Sequence, residues 1–141
     1  MNQNRPLVGV GVMLLKGNKV LLGQRKGRHG AGEYGGFGGH LENLESFEDC
    51  AKREMAEEVG KDIKIKNLRM QCITNLTKYA PKHYIDIGMV AEWVSGEAKT
   101  MEPSRIEGWG WYDLDDLPQP LFGTLTQYIE AYRTGRFYFS E

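Results

Sequence analysis

The sequence predicts an α/β fold, a sheet sandwiched between helices, on three observations. Apolar, β-branched runs bounded by turn residues outnumber helical stretches along the chain. Only two segments, one in residues 47–59 and one in 125–132, repeat apolar residues at helical spacing. Those two segments lie far apart, with strand-like runs between them, so the helices are expected to cover the sheet rather than each other.

Taken in order, Leu7 to Leu15 (LVGVGVMLL) reads as a buried strand. Lys16-Gly17-Asn18-Lys19 is a turn, and Val20-Leu21-Leu22 begins the returning strand of a hairpin. Gly27 to Gly39 holds seven glycines in thirteen residues, too many for a helix, and predicts a loop whose backbone can approach a ligand closely. Ser46-Phe47-Glu48-Asp49 then supplies helix-start chemistry, a capping box with Asp in the place of Glu or Gln. Phe47, Ala51, Met55 and Val59 recur every four residues as an apolar stripe, and Gly60 is the expected stop. Leu68 to Thr77 and Tyr84 to Val94 read as strands joined by a loop containing Pro81. Trp109-Gly110-Trp111-Tyr112 reads as a short strand with both tryptophans on one face. Asp113 to Pro118 reads as one helical turn, and Leu125, Tyr128, Ile129 and Tyr132 mark the last helix.

At 141 residues the chain reads as one domain, 1–141, able to bury an ordinary core. A net charge of −1 gives no electrostatic case for a nucleic-acid polymer as partner. No apolar run approaches the ~20 residues that span a bilayer, so no membrane partner is expected and the cytoplasm is the default location. Cys50 and Cys72 have neither metal-ligand spacing nor secreted-scaffold density, and read as buried thiols.

The acidic helix carries the chemistry. Glu54, Glu57 and Glu58 crowd five residues beside Arg53, and on a helix the spacings i, i+3 and i+4 project all three carboxylates from one side. Like charges so placed repel, and a hard divalent cation such as Mg2+ is their natural partner.

From Gly39 the segment runs five residues to Glu45, seven more to Arg53-Glu54, then Met55, Glu57-Glu58 and Gly60. That pattern is identified as the Nudix box. The flanks RPLVGVGVMLLKGNKVLLGQRKGRHGAG and MEPSRIEGWGWYDLDDLPQPLF resemble the small Nudix branch of nucleoside triphosphate diphosphatases and plant 8-oxo-dGTP and geranyl diphosphate hydrolases. The resemblance implies a Nudix α/β/α sandwich with a mixed sheet, and a hydrolase acting on acid anhydrides of phosphorus. By position, Glu54, Glu58, Glu57 and the Gly39 carbonyl would hold Mg2+, with Mn2+ as its substitute. Either Glu54 or Glu57 would take the proton from water, and Arg53 would brace Glu45.

Glu107 is expected to add a carboxylate near the metal, with Glu102 as its rival. Arg25 would meet phosphate, with Lys26 and Arg28 in the same basic turn. His40, Phe122 and Phe37 are candidate substrate contacts, with Tyr34 as a further pocket wall, although core packing explains the aromatics equally well. The implied partner is a small-molecule diphosphate, foremost a nucleoside triphosphate cleaved to monophosphate and pyrophosphate, oxidised or modified forms included. The alternatives are a prenyl diphosphate or a non-catalytic nucleotide-binding module. A homodimer is also among what the resemblance implies.

Four positions depart from the family pattern. Gly36-Phe37 stands where an apolar residue and proline are usual, Leu44 replaces a glycine, and Lys61 replaces an apolar residue.

Overall fold

The computed structural model describes residues 4–27 and 29–141. Its strands are β1 (Leu7–Lys16), β2 (Lys19–Arg25), β3 (Tyr34–Gly35), β4 (Phe37–His40), β5 (Lys64–Leu76), β6 (Tyr84–Ser95), β7 (Ile106–Asp113) and β8 (Tyr138–Ser140). The helices are α1 (Phe47–Val59) and α2 (Leu125–Thr134).

The sheet is mixed, in the order β3-β2-β1-β6-β5-β8, with β4 also on β1 and β7 also on β2. β1 and β6 run parallel, as do β5 and β8, while the remaining pairs are antiparallel. One edge of β1 therefore serves two strands. Its C-terminal end takes β2 at Leu15 and Lys16, and its N-terminal half takes β4 from Gly9 to Val12. The sheet forks there, and the fork places β4 beside α1.

Alternation along β1 sorts its side chains between two cores. Val10, Val12 and Leu14 join Leu21, Ile87, Met89 and α1's Cys50, Ala51 and Val59. Met13 and Leu15 join Val20, Leu22, Val90 and α2's Leu125, Tyr128 and Ile129. One helix covers each face, which completes the expected α/β/α sandwich. Trp109 and Trp111 both pack against the α1-side core, as their alternation requires.

Four elements differ from the sequence reading. The glycine-rich stretch does not stay a loop. It contains β3 and β4, because a side chain at Gly36 or Gly38 would strike the carbonyl oxygen of Val12 or Val10. Glycine there is what lets β4 lie on β1. Asp113 to Pro118 forms a hydrogen-bonded turn rather than a helical one, since Asp113 Oδ1 accepts from the Asp115 N–H at 2.8 Å. Tyr132 faces outward, 44% exposed, leaving Leu125, Tyr128, Ile129 and Ala131 as the packed side of α2. Finally, β8 extends the sheet beyond the expected strands, anchored by buried Phe139.

Candidate functional site

α1 starts as its sequence dictates. Ser46 is the N-cap, and its hydroxyl accepts from the Asp49 N–H at 3.0 Å. Its other end is electrostatically unfavourable. Glu57 and Glu58 occupy the last turn, where the helix dipole is negative and no basic residue compensates. The terminal carbonyls are instead held from outside, Glu58 O by the Trp109 indole N–H at 3.1 Å and Val59 O by the Lys99 N–H at 2.9 Å.

Glu58 is the most constrained of the acids, only 8% exposed. Burial, reinforced by the charges of Glu54 and Glu102, pushes its carboxyl up to about 8, against the hydrogen bond donated by Gly38 N–H at 2.9 Å. Glu54 lies against Gly39, where a Cβ would run into its carboxyl atoms, so glycine alone fits there. Two acids and a backbone segment from β4 thus converge on one spot.

Arg53 organises the approach. Its Nε donates to Glu45 Oε2 at 2.8 Å and its Nη2 to Glu45 Oε1 at 3.0 Å, a two-pronged pair. Nη2 also donates to the His40 carbonyl at 3.0 Å, and Nη1 donates to Glu54 at 2.7 Å and Glu57 at 3.4 Å. The Arg53 hydrogen bond, with a second from the Glu42 N–H, lowers the Glu45 carboxyl to about 2. Arg53 braces as expected and also partly neutralises the acids.

A cleft of about 300 Å³ opens from this cluster and is lined by Glu58, Gly39, His40, Arg25, Phe122 and Asp86 among others. Arg25 lies with its guanidinium 3.8 Å from the Phe122 ring centroid and its Nε donating to the His29 carbonyl at 3.2 Å. Burial, then the neighbouring charge of Arg105, lowers the proton affinity of Arg25. Arg105, which sequence reasoning passed over, shares the cleft and pairs with Glu102 at 3.3 Å. Two guanidinium groups facing one cleft suit an anion.

Other expected residues fall elsewhere. Glu107 is 58% exposed at its side chain and sits 3.8 Å from Lys26, so it pairs with the basic turn; Glu102 is the outlying acid whose charge reaches Glu58. Lys26 is further tied down through the Pro103 carbonyl at 2.8 Å. Arg28 lies outside the described residues. Phe37 borders the cleft but is 2% exposed and packs edge-on against Trp109 at 6.5 Å, so it supports the cleft from beneath. Tyr34 is not a pocket wall. It packs on Tyr112, and its backbone carbonyl takes the Phe122 N–H at 2.8 Å, which fixes Phe122 in place. Phe122 does stand in the cleft, but Arg25 already covers one face of its ring. His40 is exposed at the cleft edge, its ring 5.7 Å from that of Tyr84.

Among the described residues no three of His, Cys, Asp and Glu form a ready-made cage for an ion. The donor set nevertheless fits a hard cation. It offers oxygens only, and burial first, with the charges of Glu54 and Glu102 behind it, favours the proton on Glu58 in the absence of a cation.

The NUDIX domain family matches residues 5–132. NAD-capped RNA hydrolase NudC of Pseudomonas syringae pv. syringae is 37% identical over 130 residues, which cover 89% of this chain and 43% of that protein. The oxidized purine nucleoside triphosphate hydrolase of Mus musculus is 32% identical, over 76% of this chain and 66% of that one. The chain thus spans under half the length of the NudC relative. The crystal structure of a MutT NUDIX hydrolase from Burkholderia pseudomallei aligns with a TM-score of 0.82 and 34% identity, over 90% of this chain and 98% of that one.

Proposed function

The chain belongs to the Nudix family of hydrolases, and from that premise we propose that it is a Mg2+-dependent pyrophosphohydrolase. Its substrate in this reading is a nucleoside triphosphate, oxidised or modified forms included, released as monophosphate and pyrophosphate. The observation that carries the reading is Glu58. It is a buried carboxyl at the mouth of a cleft, crowded by like charges, with two guanidinium groups, Arg25 and Arg105, lining the same cleft.

Glu54, Glu57, Glu58 and the Gly39 carbonyl would hold the Mg2+, which would neutralise the diphosphate and make phosphorus more electrophilic. The remaining tasks belong to the protein's own groups. Arg25 and Arg105 orient the phosphates. Gly38 N–H and Arg53 fix Glu58 and Glu54 in position. A water oxygen bonds to phosphorus, the anhydride P–O bond breaks, and pyrophosphate leaves with its electron pair. The proton lost by that water passes to a glutamate. Glu57, half-exposed and 3.4 Å from Arg53, is freer to reach it than Glu54, which Arg53 holds at 2.7 Å.

The test is a panel of nucleoside triphosphates, NAD and prenyl diphosphates with Mg2+, assayed for pyrophosphate or phosphate release by wild type, Glu57→Gln and Glu58→Gln. Turnover of nucleoside triphosphates should fall about 100-fold or more in both variants. Wild-type turnover no higher than that of the variants would sink the proposal, and turnover of prenyl diphosphates alone would move it to another substrate class.

A further inference from the structure

The cleft also holds a carboxyl that the hydrolytic chemistry does not use. Asp86 lies on β6, level with Gly9 of β1, which in turn lies level with His40 of β4. Two strand spacings, about 10 Å, thus separate the Asp86 and His40 backbones. A ligand with its phosphates at Gly39 and Arg25 would reach Asp86 with its other end.

The setting of Asp86 is built by glycines. Gly11 and Gly88 face each other across β1 and β6, and a Cβ on either would strike the Tyr128 side chain. Their absence of side chains lets the Tyr128 ring lie on the sheet and aim its hydroxyl at Asp86. Tyr128 Oη donates to Asp86 Oδ2 at 2.5 Å, and Thr124 Oγ1 donates to the same oxygen at 3.0 Å. Both hydroxyls are spent on one oxygen. The other, Oδ1, faces Gly9, where a methyl in place of the glycine hydrogen would stand 3.6 Å away. Asp86, Thr124 and Gly9 all line the cleft.

We propose that Asp86 Oδ1, oriented by Tyr128 and Thr124, reads an N–H donor on the heterocycle of the substrate and so selects a 6-oxopurine over adenine. A 6-oxopurine presents N1–H as a donor, whereas adenine presents N1 as an acceptor and carries its donor one position away at N6, so a carboxylate oxygen set opposite N1 accepts from the former and repels the latter. An isoprenoid tail has no donor to offer this half-buried acid and is disfavoured there. This assignment rests on the reading of the cleft as a nucleotide site.

Calorimetric binding of GMP, IMP and AMP in the presence of Mg2+ tests it. Wild type should bind GMP and IMP about tenfold or more tightly than AMP, the worth of one hydrogen bond to a charged group. In Asp86→Asn the two hydroxyls keep the amide oxygen, so the NH2 turns to the cleft and the preference should invert toward AMP. Gly9→Ala places a methyl against Oδ1 without a clash and should bring the three affinities within about threefold. Should Asp86→Asn not fold, Gly9→Ala carries the test alone. Equal wild-type affinities, or a GMP preference kept in the variants, would overturn the assignment. Selective GMP binding without release of pyrophosphate from any triphosphate would uphold Asp86 and sink the hydrolytic reading instead. Absence of binding by any of the three nucleotides would overturn both.

Discussion

Two carboxyls line the cleft, buried Glu58 on α1 and half-buried Asp86 on β6, and the two are held in opposite ways. Burial pushes both up. Around Glu58 the neighbours are further carboxylates, Glu54 and Glu102, opposed by one backbone N–H. Around Asp86 they are two hydroxyls, those of Tyr128 and Thr124. The difference teaches what each carboxyl awaits. A buried acid among acids is relieved by a cation, and a half-buried acid among hydroxyls by a hydrogen-bond donor.

Substitution around each carboxyl should therefore break different things. The largest effect is expected from Glu58→Gln, which should remove turnover of every substrate while raising metal-free stability at pH 8. The amide keeps the acceptor for Gly38 N–H and deletes a charge among like charges. Urea denaturation beside steady-state rates would show both. A drop in stability would mean that Glu58 is held by a partner other than those described.

Arg53→Lys comes next. A single ammonium cannot reproduce the fork to Glu45 together with the His40 carbonyl contact, and about 2 kcal/mol of stability should go with it. Equal midpoints in urea for variant and wild type would remove Arg53 as the brace.

The pH dependence of metal-free stability separates two acids on α1's side. Glu58 rises from 4.5 to about 8 on folding, so the folded protein binds its proton more tightly than the unfolded chain. Stability from this group is full below pH 4.5 and declines as pH rises toward 8, and the decline should vanish in Glu58→Gln. Glu45 has the opposite sign. Its carboxyl falls to about 2, so its contribution is full above pH 4.5 and is lost as pH drops toward 2, a loss that Glu45→Gln should abolish. Thermal midpoints from pH 2 to 9 read both slopes.

The smallest effect concerns one family departure. Leu44 has φ 66° and is 98% exposed, a left-handed backbone carried by a residue that disfavours it. Leu44→Gly should gain about 0.5–1 kcal/mol. A loss would show that Leu44 contributes through a contact the folded chain does not display.

The acidic end was legible in the sequence because its parts lie within one helix and one adjoining loop. Spacing alone places Glu54, Glu57 and Glu58 on one side, and the family resemblance implied that Arg53 braces Glu45. The setting of Asp86 was not legible, because Asp86, Thr124 and Tyr128 meet only through the pairing of β1 with β6 and the seating of α2. Its one local signal was a lone acid in the apolar run YIDIGMV. The glycines of GVGV marked a strand without showing that Gly11 makes room for a tyrosine. Glu107 was favoured over Glu102 by its match to the region where the family places an extra glutamate; its side chain lies 3.8 Å from Lys26, while the charge of Glu102 bears on Glu58. Short β3 and β4 were hidden because glycine's freedom reads as a loop until a neighbouring strand supplies hydrogen bonds.

The central claim, that the end of α1 is built around a divalent cation, is tested most directly by the thermal midpoint at pH 8 with and without Mg2+. A ligand that binds only the folded state raises the midpoint with its concentration. Wild type should climb as Mg2+ is added, and Glu58→Gln should stay flat over the same range. An equal rise in both proteins, or none in wild type, would contradict the account.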